Sequence, residues 1–177
     1  LTQLANRVLF VDRIERALLE RDPQRHAVTV IQVDLEDFRR VNVEHGHAIG
    51  DAVLIEVARR LHECLRRTDT AARLGGDEFA LLLPEVLHPS EGELIAQRVV
   101  EALASPVVIE STEVNVRASV GLASAGAEPV SPAVLLRHAS NAAAEARDVG
   151  SGTYRVHGGI SAPARRLGGK PSSRRNR

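Results

Sequence analysis

The residues most able to do chemistry lie in one short run, Arg73-Leu74-Gly75-Gly76-Asp77-Glu78-Phe79. Two adjacent carboxylates follow a Gly-Gly pair, which separates two stretches that read as strands, Thr70 to Leu74 and Phe79 to Leu83. Glycine takes positive φ without steric cost, so Gly-Gly between apolar runs signals a hairpin. Acids beside a backbone without side chains leave room for a metal ion and a phosphate. A third acid, Asp34, follows the β-branched run Ala27 to Val33. If these strands are neighbours, Asp34 and Asp77 meet at one sheet edge. Hard oxygen donors of this kind suit Mg²⁺ or Mn²⁺, which keep positions for water and phosphate oxygens. Two such ions can activate an attacking oxygen and stabilise a leaving phosphate. Taken singly, the same residues also fit a solvated turn and a strand-end acid that caps the next helix.

The elements that must position these acids follow from composition and periodicity. A chain of 177 residues is long enough for one domain with a real core and short appendages. Hydrophobic residues make up 44% and aromatics only 2%, so the core must be Leu, Val, Ile and Ala. No run of about 18 apolar residues exists to form a membrane span, and no signal peptide is visible. The single Cys64 excludes an internal disulfide and fits a reducing, cytoplasmic setting, as a plain buried thiol. Formal net charge is zero, but residues 158–177 hold six of the 23 basic residues and no acid. That leaves 17 basic against 23 acidic residues elsewhere, a net charge of −6, which disfavours general nucleic-acid binding. The Gly-, Ser-, Pro- and Arg-rich segment 158–177 reads as a disordered basic tail after a single domain at 1–157.

A helix is expected from Leu1 to Arg21, with Leu4, Val8, Val11, Ile14 and Leu18 on one face. Strand Ala27 to Val33 precedes a short helix, Glu36 to Val41, with Phe38 and Val41 inward, and then a loop from Asn42 to Gly50. A second helix runs from Asp51 to about Arg66 on the stripe Leu54, Val57, Leu61 and Leu65. After the hairpin and a connection from Pro84 to Pro89, Ser90 and Glu93 would cap a helix to Ala104 that buries Leu94, Val99 and Leu103. Strands at Val107 to Ile109 and Val114 to Leu122, a helix from Ser131-Pro132 to Val149, and a strand Thr153 to Val156 complete the order α-β-α-α-β-β-α-β-β-α-β. This is an α/β (α+β) chain, a mixed sheet with helices packed on it.

Several spaced motifs then resemble one family. Val33-Asp34-Leu35-Glu36-Asp37-Phe38-Arg39-Arg40-Val41-Asn42 with Gly46-His47-Ala48-Ile49-Gly50-Asp51 is similar to the first signature of the GGDEF domains, the diguanylate cyclases. Residues 73 to 79 match the signature that names them. Leu1-Thr2-Gln3-Leu4-Ala5-Asn6-Arg7 resembles their opening element, and Arg117 to Ala123 a later strand. The resemblance covers about residues 1 to 157. It implies a palm-like nucleotidyl-cyclase fold with a ferredoxin-like core. It also implies condensation of two GTP into cyclic di-GMP across a homodimer, and a sensor domain N-terminal to this chain.

The resemblance also implies roles. Asp34, Asp77 and Glu78, with the Leu35 carbonyl, would hold Mg²⁺ or Mn²⁺, two ions per GTP. Asp77 or Glu78 would help remove the 3′-hydroxyl proton. Asn42 and Asp51 would read the guanine edge, and Phe38 would line the same end. His47 would sit near the nucleotide or pack its loop. Gly75 and Gly76 would admit the triphosphate. Arg39 and Arg147 stand where the family carries phosphate-contacting lysines. Lys170 is the only lysine in the chain, so the exchange follows its general usage of arginine. Arg66 and Asp69 match the family's Arg-x-x-Asp product-inhibition site, with Arg98 as a helper. Ser140, Ala144 and Ser151-Gly152 depart from the family's Asp, Tyr and Arg-Asn, which predicts weaker triphosphate contacts and a looser last helix. A non-catalytic domain that binds GTP or cyclic di-GMP is the alternative.

Overall fold

The β-branched run that opens at Ala27 forms the central strand of the sheet. In the computed structural model, which describes residues 1–158, this strand β1 spans Ala27–Glu36. It pairs antiparallel with β3 (Glu78–Val86) on one side and with β6 (Arg117–Ala125) on the other. β2 (Thr70–Gly75) is antiparallel to β3, and β7 (Thr153–Val156) is parallel to β6, giving the order β2-β3-β1-β6-β7. A separate hairpin joins β4 (Val107–Ile109) to β5 (Thr112–Val114). The expected mixed sheet flanked by helices is borne out. The basic-tail reading lies, but for Gly158, outside the described residues.

Alternation along β1 divides the interior in two. Ile31, Val33 and Leu35 enter one core with Phe38, Val57, Leu61 and Val99, carried by α2 (Phe38–His45), α3 (His47–Glu63) and α4 (Pro89–Ala104). Val28 and Val30 enter a second core with Phe10 and Ile14 of α1 (Arg7–Glu20) and Leu135 and Ala139 of α5 (Pro132–Val149). Both faces are therefore covered, except at the strand ends that carry the acids.

Several boundaries differ from the sequence expectation. The first helix begins only at Arg7, because Asn6 caps it by accepting from the Leu9 N–H at 2.9 Å. Ala5 instead lies beside β2: its N–H donates to the Ala71 carbonyl at 3.3 Å, and its carbonyl accepts from Arg73 at 2.9 Å. Val8 is 79% exposed, and Phe10 and Ile14 form the inner face with it excluded. The Asn42 to Gly50 loop does not exist. α2 and α3 are joined by Gly46 alone, whose φ of +83° only glycine takes freely. β3 runs on to Val86, and Pro84, which lacks an N–H, falls at the register shift opposite Ala27 and Thr29. α4 is capped by His88 and Glu91 instead of Ser90 and Glu93, and its inner face holds Ile95, Ala96, Val99 and Leu103 while Leu94 is exposed.

The last helix packs more tightly than its departures predict. A Cβ on Gly121 of β6 would stand 2.1 Å from the Ala143 nitrogen and 2.2 Å from the Ala139 carbonyl oxygen. Backbone cannot yield as a side chain can, so this glycine is what allows α5 onto the sheet. Ala139, Ala142, Ala143 and Ala146 line the contact, all 0% exposed. We expect Gly121→Ala to destabilise the domain by about 3 kcal/mol, the upper range for overpacking. A urea melt checks this; a midpoint within error of the parent would show that α5 can lift at little cost.

Candidate active site

The sheet register brings the acids together. Asp34 of β1 lies directly opposite Glu78 of β3. One residue on, the Leu35 N–H donates to the Asp77 carbonyl at 3.2 Å, tying the end of β1 to the hairpin turn. The turn is built from Gly75 and Gly76, at φ +155° and +45°. Arg73 closes it by donating from Nε and Nη2 to the Gly76 carbonyl, at 3.0 and 2.6 Å. Asp34, Asp77 and Glu78 thus share one edge, as expected from their strand-end positions.

Arginines surround this edge. The Asp34 side chain is only 17% exposed and makes an ion pair from Oδ2 to Arg147 Nη2 at 3.2 Å. Its Oδ1 accepts from Gln32 Nε2 at 2.8 Å. Glu78 Oε2 lies 3.4 Å from Arg7 Nη2, with both side chains about half exposed. Arg147 lies in the last turn of α5, which carries its side chain to Asp34. Arg7 and Gln32 were not singled out from the sequence. A polar residue inside the apolar run Val30-Ile31-Gln32-Val33 was the available signal for Gln32.

These donors fit a hard cation. Asp34, Asp77 and the Leu35 carbonyl offer oxygen only, and two carboxylates leave positions for water and phosphate, as Mg²⁺ requires. Among the described residues no three His, Cys, Asp or Glu side chains form a self-sufficient metal cluster.

Phe38, Arg39 and Asn42 sit on α2, and His47 and Asp51 on α3. Gly50 is buried against Asn42: a Cβ there would lie 1.9 Å from Asn42 Oδ1 and 3.4 Å from the Phe38 ring. Phe38 is 8% exposed and belongs to the core, supporting this end from beneath. Asp51 follows Gly50 in α3 and is exposed. Arg39 in the first turn of α2 and His47 at the start of α3 are exposed as well.

A second polar group forms where α3 ends beside α4. Asp69 Oδ2 accepts from the Arg66 N–H at 2.8 Å. Burial pushes the Asp69 carboxyl above the usual range, against the opposing pull of Arg66. Arg66 Nη2 meets Glu91 Oε2 at 3.2 Å. Arg98 Nη1 donates to the Cys64 carbonyl at 3.2 Å. Glu91 escaped the sequence reading because it also serves the α4 cap, accepting from the Leu87 and His88 N–H groups at 3.1 Å. Cys64 is buried and its thiol is pushed up by that burial, which suits the inert role expected of it.

A family model described as "Diguanylate cyclase, GGDEF domain" matches residues 1–153. The chain is 40% identical over 156 residues to the bifunctional diguanylate cyclase/cyclic di-GMP phosphodiesterase MucR of Pseudomonas aeruginosa, covering 87% of this chain and 22% of MucR. It is 34% identical over 157 residues to the diguanylate cyclase TpbB of the same organism, covering 88% of this chain and 36% of TpbB. The crystal structure of the TpbB (YfiN) GGDEF domain superposes with a TM-score of 0.84 at 34% identity, covering 89% of this chain and 98% of that one. The GGDEF domain of DgcB from Caulobacter crescentus, solved in complex with c-di-GMP, gives a TM-score of 0.79 at 25% identity, covering 88% of this chain and 90% of that one. The chain thus spans only 22% to 36% of the length of these two curated relatives.

Gly50→Ala tests whether Asn42 takes part in ligand recognition. Its new Cβ meets a movable side chain, so the thermal midpoint should fall little. Asn42 must swing away, and affinity for a guanine nucleotide should drop about tenfold, the worth of one lost polar contact. Titration with a fluorescent GTP analogue checks this; unchanged affinity would remove Asn42 from the recognition site.

Proposed function

This chain belongs to the GGDEF family of diguanylate cyclase domains, and on that premise we propose that it condenses two GTP into cyclic di-GMP with release of two pyrophosphates. The observation that supports this most is the shared edge of Asp34, Asp77 and Glu78, joined by the bond from Leu35 to Asp77.

Each domain binds one GTP, so the reaction needs a homodimer with two sites facing each other. The 3′-oxygen of each GTP forms a bond to the α-phosphorus of the other, and the bond from that phosphorus to pyrophosphate breaks. The 3′-hydroxyl proton passes to Asp77 or Glu78. Asp34, the Leu35 carbonyl, Asp77 and Glu78 would hold Mg²⁺ or Mn²⁺, which when bound supplies positive charge to the phosphates and lowers the hydroxyl pKa. Asn42 and Asp51 read the guanine: the amide offers donor and acceptor, and the carboxylate accepts from N1–H and N2–H. Phe38 supports the base pocket and His47 borders it. Gly75 and Gly76 admit the triphosphate without side-chain obstruction. Arg147 and Arg39 give the phosphates fixed positive charge, in a planar geometry that lysine lacks.

Arg66, Asp69 and Arg98 form the product-inhibition site. Arg66 and Arg98 clamp phosphate or stack on guanine, and Asp69 accepts from the guanine edge. Among the described residues no helix is long and apolar enough to cross a membrane. A second reading, a GTP- or cyclic di-GMP-binding module without turnover, is favoured by Ser140, Ala144 and Ser151-Gly152 in and after α5.

Incubation of the purified chain with GTP and Mg²⁺ should yield cyclic di-GMP and pyrophosphate in a one-to-two ratio. Asp77→Ala should slow this by about two orders of magnitude or more. No product at high protein concentration, together with tight cyclic di-GMP binding, would replace the enzyme by the binding module. Arg66→Ala and Asp69→Ala should each leave initial turnover intact and weaken inhibition by added cyclic di-GMP about tenfold. Inhibition should also fade on acidification at a pH above the ordinary aspartate range, because the raised Asp69 pKa removes the acceptor carboxylate early. Inhibition curves that overlay across that range would exclude Asp69 from the site.

A further inference from the structure

One buried polar side chain in the sheet has no part in the roles above. Gln32 is 4% exposed, in a strand where Val28, Val30, Ile31 and Val33 are all 0% exposed. Its cross-strand neighbours are Ala80 on β3 and Gly121 on β6, which offer no polar side chain. The α5 backbone closes over Gly121, as the close approach of Ala139 and Ala143 requires. Gln32 also lines a cavity with Arg7, Glu78, Arg137 and Ser140, yet its amide nitrogen bonds along its own strand. Gln32 Nε2 donates to Asp34 Oδ1 at 2.8 Å. A carboxylate only accepts, so the amide nitrogen must be the donor.

The two oxygens of Asp34 thus have partners of opposite character. Oδ1 is held from within the sheet by Gln32. Oδ2 is held from outside by Arg147, whose side chain is 53% exposed on the far end of α5. An exposed arginine can leave; a glutamine fixed in the central strand cannot. The donor is also uncharged. A lysine or arginine in the same place would neutralise Asp34 and repel a cation, and a glutamate would compete for it.

We propose that Gln32 is the positioning residue for Asp34. It fixes the carboxylate plane through Oδ1 and leaves Oδ2 for exchange between Arg147 and an incoming divalent cation. Partners of this kind commonly alter metal affinity by about ten- to hundredfold when removed. The inference rests on the metal role proposed for Asp34, and its test separates the two.

Mn²⁺ binding is measured by electron paramagnetic resonance, with a non-hydrolysable GTP analogue bound, for the parent chain and for Gln32→Met, Gln32→Leu and Asp34→Asn. Methionine keeps the volume and removes the donor; leucine removes the donor with a shorter apolar side chain and serves where methionine does not fold. Thermal unfolding reports the fold of each. The expected result is Mn²⁺ affinity about tenfold weaker in Gln32→Met, with metal-free affinity for the analogue unchanged. Parent-like Mn²⁺ affinity in Gln32→Met, alongside its loss in Asp34→Asn, overturns the proposal. Parent-like affinity in Asp34→Asn overturns the metal role and this inference with it. A parent chain that makes no cyclic di-GMP, yet shows the Gln32 dependence, overturns the enzyme reading alone and upholds this one.

Discussion

The pairing register of β1 against β3 is the constraint on which the site depends. Asp34 stands opposite Glu78, and the Leu35 N–H reaches the Asp77 carbonyl. A slip of one residue would turn Asp34 into the core and Val33 out of it, because side chains alternate with period two. The register is held by burial on both faces: Ile31 and Val33 pack toward α3 and α4, and Val28 and Val30 toward α1 and α5. The chemistry at the strand ends is therefore fixed by apolar packing farther along the same strand.

Two glycines extend that logic to the helices. Gly121 brings the α5 backbone onto β6, which carries Arg147 to the edge where it meets Asp34. Gly50 brings α3 against Asn42 of α2, which couples the two helices that would read a base. In each case the missing Cβ sets where a polar side chain lies. The acids would otherwise repel one another, and Arg147 and Arg7 balance them in the form described here. On the proposed reading, a cation arriving with phosphate would take over the role of Arg147 at Asp34.

Much of this was legible in the sequence, for identifiable reasons. The β-branched run at Ala27 and the Gly-Gly pair announced β1 and the hairpin, and Ser131-Pro132 announced α5. The acids were readable because they stand at strand ends. The stretch from Asn42 to Gly50 misled because two glycines and two histidines look like a loop, whereas one glycine breaks the helix and the other is packed within it. Leu94 misled because it is apolar but off the face that Ile95, Val99 and Leu103 form at four-residue spacing. The first six residues carry helical spacing, but Ala5 bonds to β2 through its backbone, which leaves no mark on side-chain pattern. Gln32, Arg7 and Glu91 escaped as partners because each meets its acid or base through contacts that only register and packing define.

The central claim is that Asp34 and Asp77 share one divalent-cation site in the presence of a guanine nucleotide. The most direct measurement is a crystal structure of this domain with Mn²⁺ and a non-hydrolysable GTP analogue, with anomalous data collected at the manganese edge. The account predicts a manganese peak bounded by Asp34, the Leu35 carbonyl and Asp77, with the triphosphate over Gly75-Gly76 and Arg147 moved from Asp34. A nucleotide bound with the Arg147–Asp34 pair intact and no manganese at these acids would contradict it.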